Sequence, residues 1–163
     1  MQAGKNSDIE TTNMNSYSLK WITDDLAVGY APMFDVDLES AKRQGISAIV
    51  NLCGEFCDLH EIQTDAGFDV YYFPIPDECA PDVDSMETVF LWMDNTIAAD
   101  RKILVHCRFG VGRTGTFVTA YLMQKGYDMK AAAKALKHTR ANPTQYCQWK
   151  MLKTYKKKLK SKS

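Results

Sequence analysis

The sequence has no apolar run approaching the roughly 18 residues that a membrane span requires. Its opening, MQAGKNSDIETTNMNS, has neither the basic end nor the apolar stretch of a secretory signal, and a cytoplasmic protein is expected. Cysteine is sparse and odd in number: Cys53, Cys57, Cys79, Cys107 and Cys147 form no even framework, which fits reduced thiols better than a disulfide scaffold. Cys53 and Cys57 are spaced CxxxC, but no second Cys/His pair completes a tetrahedral zinc site, so neither metal nor another cofactor is expected. Positive charge is missing from the middle of the chain. No Lys or Arg lies between Arg43 and Arg101, an interval holding twelve acidic residues. Over the whole chain the signs balance at 20 each, so no global charge recruits nucleic acid or a membrane surface. Repeats and interdomain linkers are absent too, and 163 residues with 45% apolar types make one domain, expected as a monomer.

Residues 1–16 are polar and aperiodic and read as a flexible lead-in, followed by a domain over 17–158 and a basic tail over 159–163. Two short strands are predicted at 18–22 and 26–29, joined by a Thr-Asp-Asp turn. A helix over 35–45 stops at Gly45, a buried strand SAIVNLC follows, and a short helix over 58–67 stops at Gly67. The strand FDVYYFPIP is ended by its prolines. Met86, Val89, Phe90, Met93 and Ile97 recur at helical spacing, and KILVH is the next strand. Three helices complete the chain, over 114–126, 128–141 and 144–160. Continuous apolar strands alternating with helices indicate an α/β fold, a central, mainly parallel twisted sheet flanked by helices, with a helical C-terminal half.

Between KILVH and the following helix lies HCRFGVGRTG. Ligands of open α/β sheets collect beyond the carboxyl ends of the strands, where such a loop feeds a helix. Gly110, Gly112 and Gly115 would let the backbone curl so that successive N–H groups face inward, and the helix adds its positive end. The cup suits a tetrahedral oxyanion bound by residues 108–113: Arg108, Phe109, Gly110, Val111 and Gly112 chiefly through backbone N–H groups, Arg113 through its planar fork. Arg108 either adds positive potential or is wholly solvated. Cys107, among N–H dipoles and a guanidinium, is favoured as thiolate over thiol and is thereby a nucleophile aimed at phosphorus.

HCRFGVGRTG resembles the HCxxGxxRS/T signature of the cysteine-dependent protein tyrosine phosphatase superfamily, with Cys107 and Arg113 at the required spacing. ITDDLAVGYAP, ISAIVNLCGE, YYFPIPDECAPD and the helical finish are similar in order and spacing to small atypical dual-specificity phosphatases, over residues 17 to 158. The resemblance implies a dual-specificity phosphatase-like fold and hydrolysis of phosphotyrosine and of phosphoserine or phosphothreonine in a phosphorylated protein or peptide. The reaction would run through a phosphocysteine. It also implies a general acid about thirty residues before the cysteine, for which Asp77 is the candidate; Asp82 and Asp84, at the mouth of the next helix, fit dipole roles. Thr114 would hydrogen-bond the sulfur, cap the helix, or do both, and His106 would buttress the loop. Gln148 matches a glutamine of similar proteins, although a surface or structural role suits it better. Cys53 ends SAIVNLC as Cys107 follows KILVH; it is either a small buried hydrophobe or a redox partner of Cys107. Phosphoinositides or RNA 5′ phosphates are alternative substrates, the loop lacking further lysines for a multiply charged head group. A non-catalytic phosphate-binding module is the reading from another class. The lysine-rich end either touches acidic lipids or phosphorylated partners or is the solvated end of the last helix.

Overall fold

The structure, a computed structural model, describes residues 16–162. The expected lead-in therefore lies outside the described residues except for Ser16. Eleven elements follow in chain order: β1 (Leu19–Trp21), β2 (Leu26–Gly29), α1 (Asp35–Arg43), β3 (Ile46–Cys53), α2 (Leu59–Asp65), β4 (Asp69–Ile75), α3 (Val83–Ala98), β5 (Lys102–His106), α4 (Gly112–Gln124), α5 (Met129–Leu136) and α6 (Tyr146–Ser161). Gly45 and Gly67 follow α1 and α2 as the expected stops.

The strands form one sheet in the order β1-β2-β5-β3-β4, antiparallel only at the β1–β2 edge. β5 is central because its residues are apolar on both faces, which a helix-covered parallel strand requires. Ile103 and Val105 join Leu26, Val28, Val50 and the helices α3, α4 and α6 in one core. Leu104 points the other way, to Ala27, Ile49 and α1 residues Leu38 and Ala41. The predicted face of α3 is buried in full at Met86, Val89, Phe90 and Met93, and partly at Ile97. Phe90 meets Phe117 and Tyr121 edge-on, with ring centroids 5.2 and 5.3 Å away.

Several helix boundaries differ from expectation, and those of α4 and α5 shape the site. α4 begins at Gly112 rather than Thr114, so Arg113 stands in its first turn. α5 ends at Leu136, where a helix to residue 141 was expected. Thr139 turns the chain there, its hydroxyl accepting from Ala141 N, and Asn142 N then donates to Val111 O at 3.1 Å. Residues 137–145 are thus laid across the start of α4, which a continued helix would prevent. At the end of the chain α6 runs through Ser161, making residues 159–161 helical. Among the described residues no helix is long and apolar enough to cross a membrane.

Candidate active site

Cys107 leaves β5 at the carboxyl edge of the sheet and is 3% exposed. The loop after it is pinned to the exit of β2, where Ala31 N donates to Arg108 O at 3.0 Å. Gly110 has φ +71°, and a Cβ there would stand 2.5 Å from Gly29 O, so the tight path of the loop depends on glycine at this position. The other two glycines serve differently from the expected curl. Gly112 is already helical, and Gly115 lies inside α4, where a Cβ would be 2.2 Å from Asn142 N. Its hydrogen lets residues 141–142 pack directly on the helix.

Arg113, 3% exposed, joins three segments. Its guanidinium donates to Ile75 O at the end of β4 and to Glu55 Oε1 after β3, both at 3.0 Å, and stands 3.5 Å from Asp77 Oδ1. Glu55 was not singled out by the sequence analysis. Burial raises its carboxyl pKa, but the hydrogen bonds from Arg113 and Cys53 outweigh that and hold it below the ordinary value. Cys53 donates its thiol to the same oxygen. Burial first, then the Glu55 bond and charge, pushes the Cys53 thiol up to about 12. Cys53 and Cys107 both stand free, and Cys107 is close enough to add to that shift.

A single cavity is lined by Cys107, Phe109, Val111, Gly112 and Arg113 together with Asp77, Glu78, Arg140, Thr144, Gln145 and Gln148. Of the three aspartates weighed, Asp77 alone reaches it; its side chain is 65% exposed, and its Oδ1 accepts from Glu78 N at 3.0 Å. Asp82 caps α3, accepting from Ser85 N at 3.0 Å, and Asp84 pairs with Lys158. Gln148 is buried, not at the surface. It receives Thr144 N and Gln145 N at the start of α6 and donates to Cys79 O, fastening α6 to the segment that follows Asp77.

Arg108 is not wholly solvated: its guanidinium carbon stands 5.5 Å from the Phe56 ring centroid and 5.0 Å from that of Phe109. Thr114 is not the helix cap, since Val111 holds that position, and its Oγ1 is buried without a hydrogen-bond partner. His106 is fully buried between Gln63 and the Cys107 carbonyl. Burial lowers its pKa from 6.5 to about 4, so it is neutral near neutral pH. Arg140, Glu55 and Gln63 escaped the sequence analysis because each reaches the site only through the fold. Arg140 adds a positive charge that the count of loop residues did not include.

A deep thiol, a buried guanidinium at the N-terminus of a helix and an exposed carboxyl share one cavity. The family described as "Tc-R-P: Polymorphic toxin system, DSP-PTPase phosphatase" matches residues 29–127. The chain belongs to it. Among relatives of this DSP-PTPase chain, dual specificity protein phosphatase CDC14B of Mus musculus is 37% identical over 91 residues, which is 56% of this chain and 18% of CDC14B. CDC14A of Homo sapiens is 32% identical over 83 residues, 51% of this chain and 13% of the relative. The chain thus spans under a fifth of the length of these curated relatives. The structure of Tk-PTP in its active form superposes with a TM-score of 0.76 at 26% identity, covering 86% of this chain and 97% of Tk-PTP. Kinase associated phosphatase, at 19% identity and a TM-score of 0.79, covers 91% of this chain and 98% of its own, and shares the fold. CDC14B and CDC14A are dual specificity protein phosphatases, and the family that matches residues 29–127 is one of DSP-PTPase phosphatases.

Proposed function

We propose that the protein hydrolyses phosphotyrosine, and phosphoserine or phosphothreonine, in phosphorylated proteins through a phosphocysteine at Cys107. The observation that carries this reading is the meeting of Cys107, Arg113 and Asp77 in one cavity, with Arg113 3.5 Å from the Asp77 carboxyl. The Cys107 thiolate attacks phosphorus, the S–P bond forms, and the P–O bond to the leaving group breaks as Asp77 delivers its proton to the departing oxygen. Water then attacks the phosphocysteine, Asp77 takes a proton from it, and the sulfur leaves as thiolate. Charge spread over the equatorial oxygens is met by the loop amides of residues 108–113, the start of α4 and the donors of Arg113. Thr114 Oγ1, unpartnered beneath the loop, is available to the leaving sulfur.

Turnover of p-nitrophenyl phosphate without added metal, abolished in Cys107→Ser, tests the chemistry. Asp77→Asn should slow a phosphopeptide, a poor leaving group, by roughly 100-fold or more. Equal rates would remove Asp77 from the mechanism. A Cys107→Ser protein that binds phosphate beside an inactive parent would instead mark a phosphate-binding module.

Arg140 favours a second reading, because it supplies the cavity with a cation that a multiply charged head group would use. A panel of phosphopeptides, phosphoinositides and 5′-phosphorylated RNA at matched concentrations separates these substrates; phosphopeptides are expected to turn over fastest. Cys53 enters as a redox partner. Peroxide would oxidise Cys107 to a sulfenic acid, and the Cys53 sulfur would displace hydroxide from it, closing a disulfide. Peptide mapping after peroxide treatment, with Cys107 overoxidised and Cys53 untouched, would count against that step.

A further inference from the structure

The Cys107 carbonyl is the end point of a buried chain of hydrogen bonds. Cys53 N donates to Asn51 Oδ1 at 2.8 Å, and Asn51 Nδ2 donates to Gln63 Oε1 at 3.1 Å. Gln63 Nε2 stands 2.9 Å from His106 Nε2, and His106 Nδ1 stands 3.0 Å from Cys107 O. Asn51, Gln63 and His106 are each 0% exposed.

The direction of every bond is forced from its ends. A backbone N–H can only donate, so Asn51 must turn its oxygen to Cys53 and its amide nitrogen to Gln63. Gln63 must then accept with its oxygen and present N–H to the imidazole, which can answer only with an unprotonated Nε2. The ring proton is left on Nδ1, facing a carbonyl that can only accept. Reversing Gln63 would set two lone pairs together at Cys107 O, or require a buried imidazolium, and either is costly. The lowered pKa of His106 agrees with a neutral ring.

We propose that Gln63 is a positioning residue for the nucleophile: through His106 it fixes the Cys107 peptide and hence the direction in which the sulfur points. This rests on the hydrolytic reading above, and its test has an arm that does not. Nitrogen NMR of the labelled imidazole in the unaltered protein should show His106 protonated at Nδ1 and bare at Nε2. Gln63→Leu removes the donor and should mix the tautomers. Gln63→Glu accepts from Asn51 and from Nε2–H, so it should convert the ring to imidazolium while keeping the bond to Cys107 O. With p-nitrophenyl phosphate, Gln63→Leu should lower kcat about tenfold or more, a fraction of the roughly 100-fold that a misplacement of about 1 Å costs. KM should stay within about twofold, because the loop amides and Arg113 are untouched. Gln63→Glu should restore most of kcat, a rescue that a merely structural glutamine would not give. A proton on Nε2 in the unaltered protein overturns the proposal. So does parental kcat in a folded Gln63→Leu, as judged by circular dichroism. If the unaltered protein hydrolyses no phosphate ester, the hydrolytic reading fails, while the tautomer and the rate of Cys107 alkylation by iodoacetamide in Gln63→Leu still decide the positioning role.

Discussion

Charging the His106 ring inside the fold is costly because no water reaches it, and that cost ties stability to pH. Burial depresses its pKa from 6.5 to about 4, so as pH falls below 6.5 the unfolded chain takes up this proton before the native one does. Stability should therefore be level above pH 6.5, decline between 6.5 and about 4, and lose about 3 kcal/mol over that interval. Urea denaturation across this range checks it, and His106→Gln should lack the slope. Glu55 acts lower: its pKa is below the ordinary 4.5, so its contribution is complete above 4.5 and lost as pH falls through the depressed value. The same carboxylate suppresses Cys53, because its hydrogen bond and charge help push that thiol up to about 12. Glu55→Gln removes the charge and leaves only a neutral amide oxygen to accept from the thiol, and Cys53 should then alkylate with iodoacetamide faster than in the parent, as read by peptide mass mapping. It should also destabilise the fold by about 1 kcal/mol, since Arg113 keeps its bond to Ile75 O and Glu55 is partly screened by water.

At the level of the element, α4 is defined by what crosses it. Gly115 would ordinarily weaken a helix by about 1 kcal/mol relative to alanine, yet here the hydrogen is what admits the Asn142 backbone. Gly115→Ala should therefore destabilise by about 3 kcal/mol, the upper range for overpacking, because the obstacle is the Asn142 main chain and cannot swing aside as a side chain would. Denaturant midpoints would read the loss. Less than about 1 kcal/mol would mean that the segment shifts freely. The strands were legible in the sequence because β3 and β5 are apolar in both directions, and Cys107 and Arg113 because their spacing is local to one loop. The early end of α5 was not, since Ala131 to Arg140 has good helical residues and only packing against α4 stops it. Glu55, Gln63 and Arg140 were illegible for a related reason: each meets the loop after a strand crossing or a helix turn that no spacing rule encodes.

On the scale of the whole molecule, the family match ends at residue 127, but the core and the cavity do not. Leu152 and Tyr155 of α6 are fully buried against the core that holds Phe90, and Arg140, Thr144 and Gln148 complete the cavity wall. α6 also places Lys158 3.1 Å from Asp84 and 3.2 Å from Glu87 of α3. The two kinds of contact differ in weight. An exposed ion pair contributes about 0–1 kcal/mol, whereas truncating a buried aromatic costs about 3–5 kcal/mol. Tyr155→Ala should thus lower stability several times more than Lys158→Ala in urea denaturation. By the same weighting a chain ended at Tyr127 should fail to unfold cooperatively and should turn over no p-nitrophenyl phosphate, although it retains Cys107, Arg113 and Asp77. A cooperative transition in that shortened chain would show that strands and α3 bury enough apolar surface by themselves. The lysines of α6 would then be decoration on a helix that the fold does not need.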